Sequence, residues 1–275
     1  MAEIEKNWAA CIVYYQDFDS LTNLLNSLES QTRKPNEIFI ADNNSQRSLT
    51  LDSFSFPVNI YRLDENKGFA GGANVAIRNA INRNYSNLML LSQDVLLSPD
   101  SALRMIEKLL ITGGIVFPTM WDRNRNVIFS KGGKVNKILG SIKLSTSNVP
   151  VKPDWADGSC LAFDKKTYQS TGGIFEKYFM YFEDVDFCLN AKKLGFTLSH
   201  VDTKVSQTPK GPNSRLRSRN SILLARRSKS WLFKISVTKR NILGAFLNLA
   251  EFRLTDGKQR LIGIKEGWSV PIEQD

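Results

Sequence analysis

Residues 8–15 form a short apolar run rich in β-branched and aromatic side chains, followed by a polar stretch from Asp17 to Ser20. Leu21, Leu24, Leu25 and Leu28 then recur at helical spacing, so this opening predicts strand, loop and helix. The strand signature returns at 37–41, 58–62 and 88–91. The second strand ends in Asp42-Asn43-Asn44-Ser45, and the fourth in Ser92-Gln93-Asp94. After the third, residues 66–74 carry Gly68, Gly71 and Gly72 and lead into a helix through Val75, Ile77 and Ala80. Strands alternating with helices at this spacing predict a parallel sheet that binds its ligands beyond the carboxyl ends of the strands. All three polar loops fall at that edge.

Past residue 98 the pattern predicts a helix through Leu103, Met105, Ile106, Leu109 and Leu110, then a strand at 114–118. Residues 121–147, with mixed charges and the Gly132-Gly133 pair, predict a hairpin or mobile loop. The acidic run at 181–186 opens a short helix in which Val185, Cys188 and Leu189 fall at i, i+3 and i+4. Phe187, Ala191 and Leu194 widen that face, and Gly195 suits the stop. This register leaves Glu183 and Asp184 exposed at the N-terminal end, where the macrodipole favours the ionised carboxylate. Acids often do no more than cap such a helix. Here they follow Trp155, Asp157, Gly158, the Gly172-Gly173 pair and the aromatic stretch 178–182 within about thirty residues.

In that order these segments resemble glycosyltransferase family 2, most closely its bacterial rhamnosyltransferase-like members that build O-antigen and capsule polysaccharides. The resemblance covers about residues 8–230. It implies an α/β fold of GT-A type: a Rossmann-like mixed, mainly parallel sheet flanked by helices, here with a basic helical C-terminal segment. Residues 1–203 would be the catalytic domain, with the nucleotide-sugar half at 1–97 and the acceptor half at 98–203, and 204–275 would follow as the helical region. The Glu-Asp pair implies Asp184 as catalytic base beside Glu183. Residues 66–74 match the family stretch Asn-x-Gly-Phe-Ala-Gly-Gly-x-Asn. The resemblance therefore assigns donor binding to Asn66, Gly68, Gly71 and Asn74, together with Tyr14, Asp42, Asn44 and Gln93. Asp42 would contact the nucleotide base. Trp155, Asp157 and Tyr181 would bind the acceptor.

The family's metal-binding Asp-x-Asp appears here as Ser92-Gln93-Asp94, leaving Asp94 as the single carboxylate for Mg²⁺ or Mn²⁺. A hard divalent ion bound in this way can bridge the oxygens of a pyrophosphate leaving group. Family members often place a metal-contacting His about two dozen residues beyond the base, but that count reaches Gln207 and Thr208. The single histidine, His200, lies earlier, in a strand-like run, and reads as structural.

A chain of 275 residues with 42% hydrophobic content can bury a sizeable core. No run approaches the length of a membrane span, and the acidic N-terminus lacks the apolar core of a leader, so a cytoplasmic protein is expected. Cys11, Cys160 and Cys188 are unevenly spaced within apolar sequence and read as core residues. The net charge of +10 is concentrated: from Thr203 to Ala250 there are eleven Lys or Arg and no acid. Interleaved with Trp231, Leu232, Ile235 and Phe246, these suit either an anionic membrane surface or a basic solvated face. No nucleic-acid-binding motif accompanies them.

The resemblance implies a nucleotide diphosphate sugar as donor, dTDP-L-rhamnose before UDP-galactofuranose, UDP-glucose or UDP-galactose. It implies a polyprenyl-diphosphate-linked saccharide as acceptor, at the cytoplasmic face of the inner membrane. A processive synthase would carry membrane spans and Gln-x-x-Arg-Trp, and neither is present. A nucleotidyltransferase would carry a Gly-rich loop after the first strand, where this chain has Tyr14-Tyr15-Gln16-Asp17. A non-catalytic sugar-nucleotide or membrane-binding scaffold is the remaining alternative.

Overall fold

The computed structural model describes residues 7–51, 53–147, 152–209, 211 and 213–273. The acidic N-terminal stretch on which the leader argument rests lies outside them. The first half is β1 (Trp8–Tyr14), α1 (Phe18–Glu29), β2 (Glu37–Asp42), β3 (Val58–Arg62), α2 (Gly68–Asn82) and β4 (Asn87–Ser92). Its four strands are mutually parallel. There follow β5 (Leu96–Leu97), α3 (Ser101–Thr112), β6 (Ile115–Asp122), β7 (Val127–Ser130) and a separate hairpin, β8 (Gly133–Asn136) with β9 (Ser141–Leu144). Then come β10 (Cys160–Asp164), α4 (Lys165–Thr171), α5 (Glu183–Lys193) and β11 (Leu198–Gln207). Three helices close the chain: α6 (Ser214–Arg227), α7 (Trp231–Ala250) and α8 (Leu254–Ser269). The main sheet runs β3-β2-β1-β4-β10-β6-β11-β5, with β7 on β6; β10 is antiparallel to both of its neighbours.

The apolar strand runs are explained by burial on both faces. Trp8, Ala10 and Ile12 point toward the leucines of α1 and toward Met105 and Ile106 of α3. Ala9, Cys11 and Val13 point the other way, into a cluster that joins Ala73 and Ile77 of α2 to Phe187 of α5 and Leu223 of α6. All three cysteines are buried and unpaired in disulfides. Pro118 sits inside β6 without an amide to donate, and β11 shifts register opposite it, between Val201 and Lys204.

The boundary drawn at residue 203 falls inside β11, and α6 belongs to the same core as the sheet. The length of β11 was underestimated because its middle residues are polar. Leu194, expected on the buried face of α5, is exposed. Its position after the last helical residue takes it off the packed stripe.

The final helix docks through glycine. A Cβ at Gly263 would stand 2.2 Å from the Arg215 carbonyl oxygen, and one at Gly267 2.5 Å from that of Arg219, so α8 lies directly on the backbone of α6. Gly267→Val therefore forces the helices apart, and the expected loss is about 1–3 kcal/mol, read as a lowered midpoint in thermal unfolding. An unchanged midpoint contradicts this packing. Among the described residues no helix is long and apolar enough to cross a membrane.

Candidate active site

Asp184 enters α5 at its first turn, and both its carboxylate oxygens accept backbone bonds. Gly158 N–H donates to Oδ2 at 3.0 Å and Val185 N–H to Oδ1 at 2.7 Å. Gly158 is required there, since a Cβ would lie 2.8 Å from that of Asp184. Burial, reinforced by the nearby Asp157, pushes the Asp184 carboxyl up to about 7. Glu183 is buried rather than exposed, and its Oε2 has no hydrogen-bond partner. Burial and the neighbouring Asp184 charge hold Glu183 well above the usual carboxylate range. The expectation that the helix dipole keeps both acids ionised is thus corrected. Desolvation and mutual repulsion exceed a dipole effect of about 0.3–1 kcal/mol.

The segment that delivers these acids is backbone-strained. Phe179, Tyr181 and Phe182 have φ of 64°, 73° and 72°, conformations that cost non-glycine residues roughly 1–3 kcal/mol each. One side chain holds it. Asn220 of α6, fully buried, donates from Nδ2 to the carbonyls of Tyr178 (2.9 Å), Met180 (2.7 Å) and Tyr181 (2.9 Å). Arg219 adds a bond to the Lys177 carbonyl at 2.7 Å. Behind Phe179 lies a cleft of about 640 Å³ lined by Asn213, Arg215, Arg219 and Glu266.

At the strand ends, several of the expected donor-binding residues are occupied in building the edge. Asp42 is buried, accepts from Ser45 N–H at 2.9 Å and pairs with Arg62 at 3.0 Å. Tyr14 is also buried, and desolvation raises its phenol. Asn44, at φ 60°, donates to the Asp64 carbonyl, and the Asn66 side chain accepts from Gly68 N–H. Gln93 exchanges both amide bonds with the Tyr15 backbone, fastening β4 to β1.

Asn74 is fully buried and has no reach into the cleft. It donates to Ile174 O and Glu176 Oε1 and accepts from Tyr168 Oη and Ile174 N–H, tying α2 to the segment before the acids. The glycines serve packing. A Cβ at Gly68 would meet the Phe179 carbonyl oxygen at 2.3 Å, and one at Gly71 would meet the Lys67 Cβ at 2.5 Å. The same Phe179 carbonyl accepts from Ala70 N–H at the start of α2. Asn43, which the sequence reading passed over beside Asp42, bridges the two loops by accepting from Lys67 N–H and donating to Gly68 O, each at 2.8 Å.

On the acceptor side, Trp155 is buried beneath the β8–β9 hairpin, against Gly133. It supports the hairpin through this contact. Asp157 is partly exposed by surface area, accepts from Ser159 N–H at 3.0 Å, and is raised by burial. Tyr181 contributes its carbonyl to Asn220 and is partly exposed.

Asp94 brings the two halves of the site together. Its Oδ1 accepts from Gln207 Nε2 at 2.9 Å, and its carbonyl accepts from Arg123 at 2.7 Å. Gln207 therefore stands where the count from the base placed a His, while His200 shares a 2.9 Å bond with Thr119 Oγ1 and packs on Phe117. Among the described residues no group of three or more His, Cys, Asp or Glu could hold a metal ion. One carboxylate beside one amide still fits a hard divalent ion, because such ions take their remaining ligands from phosphates and water. Asp94 would hold it, with the Gln207 amide turned to present its oxygen, and it would neutralise charge on a diphosphate.

Comparisons with known proteins bear on the family and the fold. The chain is 26% identical over 267 residues to the N-acetylglucosaminyl-diphospho-decaprenol L-rhamnosyltransferase of Mycobacterium tuberculosis, covering 80% of this chain and 84% of that protein. It is 25% identical over 191 residues to the low-salt glycan biosynthesis hexosyltransferase Agl10 of Haloferax volcanii, covering 66% of this chain and 60% of that one. Among solved structures, the mannosyltransferase PcManGT of Pyrobaculum calidifontis with GDP-Man and Mn²⁺ superposes with a TM-score of 0.61 at 13% identity, covering 96% and 88% of the two chains. GalNAc-T7 with UDP, GalNAc and Mn²⁺ gives 0.66 at 11% identity, and the match spans 86% of this chain and half of that one. These structures show the GT-A fold. Residues 9–186 match the pattern described as Glycosyl transferase family 2, and on that match the chain belongs to glycosyltransferase family 2.

Proposed function

We propose that the protein is an inverting transferase that moves a hexosyl group, L-rhamnose from dTDP-rhamnose being favoured, to a hydroxyl of a saccharide carried on a polyprenyl diphosphate. The observation that carries this reading is the placement of the Asp184 carboxylate at the first turn of α5, fixed by the N–H groups of Gly158 and Val185, where burial pushes its carboxyl up to about 7. A general base is most effective when its pKa lies near the working pH. Asp184 takes the proton of the acceptor hydroxyl while that oxygen attacks the anomeric carbon; the carbon–oxygen bond to the diphosphate breaks, and the nucleoside diphosphate leaves with inversion. Burial and the neighbouring Asp184 charge raise the Glu183 carboxyl well above the usual carboxylate range, so Asp184 is the member of the pair assigned to accept the proton.

Residues 1–97 are assigned to the donor and the stretch from 98 onward to the acceptor. The product would enter a bacterial surface polysaccharide such as O-antigen, made at the cytoplasmic face of the inner membrane. The Mycobacterium relative, named for a decaprenol-linked acceptor and L-rhamnose, supports these choices. A UDP-sugar is the alternative donor.

Calorimetric titration with dTDP, UDP and GDP, with and without Mn²⁺, tests this directly. The expected result is metal-dependent binding of dTDP that Asp94→Ala abolishes. Selective UDP binding transfers the assignment to a UDP-sugar, and no binding of any nucleotide favours the non-catalytic scaffold.

A further inference from the structure

Helix α7 carries two apolar faces. Phe233, Val237 and Ala245 are buried against the domain. Leu232, Ile235, Leu243 and Phe246 lie on the opposite arc and are exposed, with Trp231 71% exposed at its start. A helix that is apolar around most of its circumference needs a second partner.

The β8–β9 hairpin extends this outer face. Ile138 and Leu139 at its tip are 69% and 66% exposed. The tip is fastened to α7: Ser236 Oγ donates to the Ile138 carbonyl at 2.6 Å, and a Cβ at Gly140 would lie 2.6 Å from the Ser236 carbonyl carbon. Ser236 falls on the same arc as Leu232 and Leu243, so two segments about a hundred residues apart in sequence form one apolar surface.

The charge around this surface indicates the occupant. Residues 131–147 and 228–250 together contain eight Lys or Arg and no Asp or Glu. Two copies of the chain meeting through this face by a two-fold axis would set like charges against each other. An anionic bilayer surface satisfies both features, because headgroup phosphates attract the lysines while Trp and aliphatic side chains enter the acyl boundary.

We propose that the β8–β9 tip and the outer face of α7 form one composite seat on an anionic membrane. The inference deepens the lipid-borne acceptor reading, on which it rests for its purpose, by naming the surface that meets the lipid. At its other end the hairpin pairs with the chain at Trp155, whose carbonyl accepts from Gly133 N–H at 2.8 Å. Trp155 lies three residues before Gly158, the donor to Asp184. Seating would therefore set the height of the base above the bilayer.

The test is co-sedimentation of the full chain with phosphatidylglycerol-containing and with pure phosphatidylcholine vesicles, without substrates. Binding is expected only to the anionic vesicles. Lys239→Ser with Arg240→Ser should weaken it roughly thirtyfold, on the basis of about 1 kcal/mol per basic residue. Ile138→Glu with Leu139→Glu, and separately Leu243→Glu with Phe246→Glu, should each weaken it at least about tenfold. Nucleotide affinity, followed in parallel, should not change in any variant. Failure of the wild-type chain to bind anionic vesicles overturns the proposal, as does a concentration-dependent dimer dissolved by the same substitutions. Loss with the α7 pair but not the hairpin pair overturns the composite seat. Transfer to a water-soluble acceptor is scored separately, so a failed seat and a failed acceptor assignment remain distinguishable.

Discussion

Asp184→Asn is expected to lower turnover by about 10²–10⁴-fold while leaving nucleotide affinity near the wild-type value, because it removes proton acceptance along with one of the two backbone N–H bonds the carboxylate accepts. In the wild type, kcat/KM should rise tenfold per pH unit on the acid side and level off above the Asp184 pKa of about 7. The same residue makes an opposite prediction for stability. In the unfolded chain its carboxyl titrates near 3.8, and in the folded chain near 7. Between those values the folded state binds more protons, so its stability falls as pH rises through that window. Asparagine carries no charge to desolvate, and the variant should melt at a higher temperature than the wild type at pH 8. Retained turnover, or a melting temperature lowered at pH 8, would falsify the assignment of Asp184 as a desolvated base.

The second large effect is expected at Asn220. Asn220→Ala removes the donor shared by the carbonyls of Tyr178, Met180 and Tyr181. The amide has two N–H groups for these three carbonyls, and at about 1 kcal/mol for each N–H the loss is about 2 kcal/mol, or roughly 4–8 °C in melting temperature for a chain of this size. The strained segment leads directly into Glu183 and Asp184, and displacement of a reacting group by 1 Å costs about 10²-fold in rate. Turnover should therefore fall by that order even at temperatures where the variant is fully folded. Near wild-type turnover in a folded variant would show that Asn220 stabilises the fold without positioning the base.

The strands and early helices were legible because each is a short apolar run closed by Asp, Asn or Gly, and burial on both faces leaves such runs uninterrupted. The acidic helix start was legible in the same way. The raised Glu183 carboxyl was not: the solvent exclusion around it is created by packing, and helix periodicity carries no trace of it. Asn74 and Gln93 looked like ligand contacts because they are polar residues in loops at the correct edge. Their amides meet backbone at Ile174 and Tyr15, which lie 100 and 78 residues away in sequence, respectively. Asn43 was legible as a residue type, but nothing local distinguished it from its neighbours, and the bonds of Asn220 to the strained segment required the fold. Gln207 is the intermediate case, since counting from the base reached it while its bond to Asp94 required the fold.

The carbonyl of Phe179 caps an amide at the start of α2, in the stretch proposed to bind the donor, while the same residue begins the segment that carries the proposed base. A donor that needs that amide must move Phe179, and the cleft behind it gives the segment room. Donor affinity and the geometry presented to the acceptor are then thermodynamically linked, and the linkage is reciprocal: whatever factor the first ligand applies to the second, the second returns. It also makes Gly68, which touches neither reacting atom, a point at which a single methyl group would alter both affinities together.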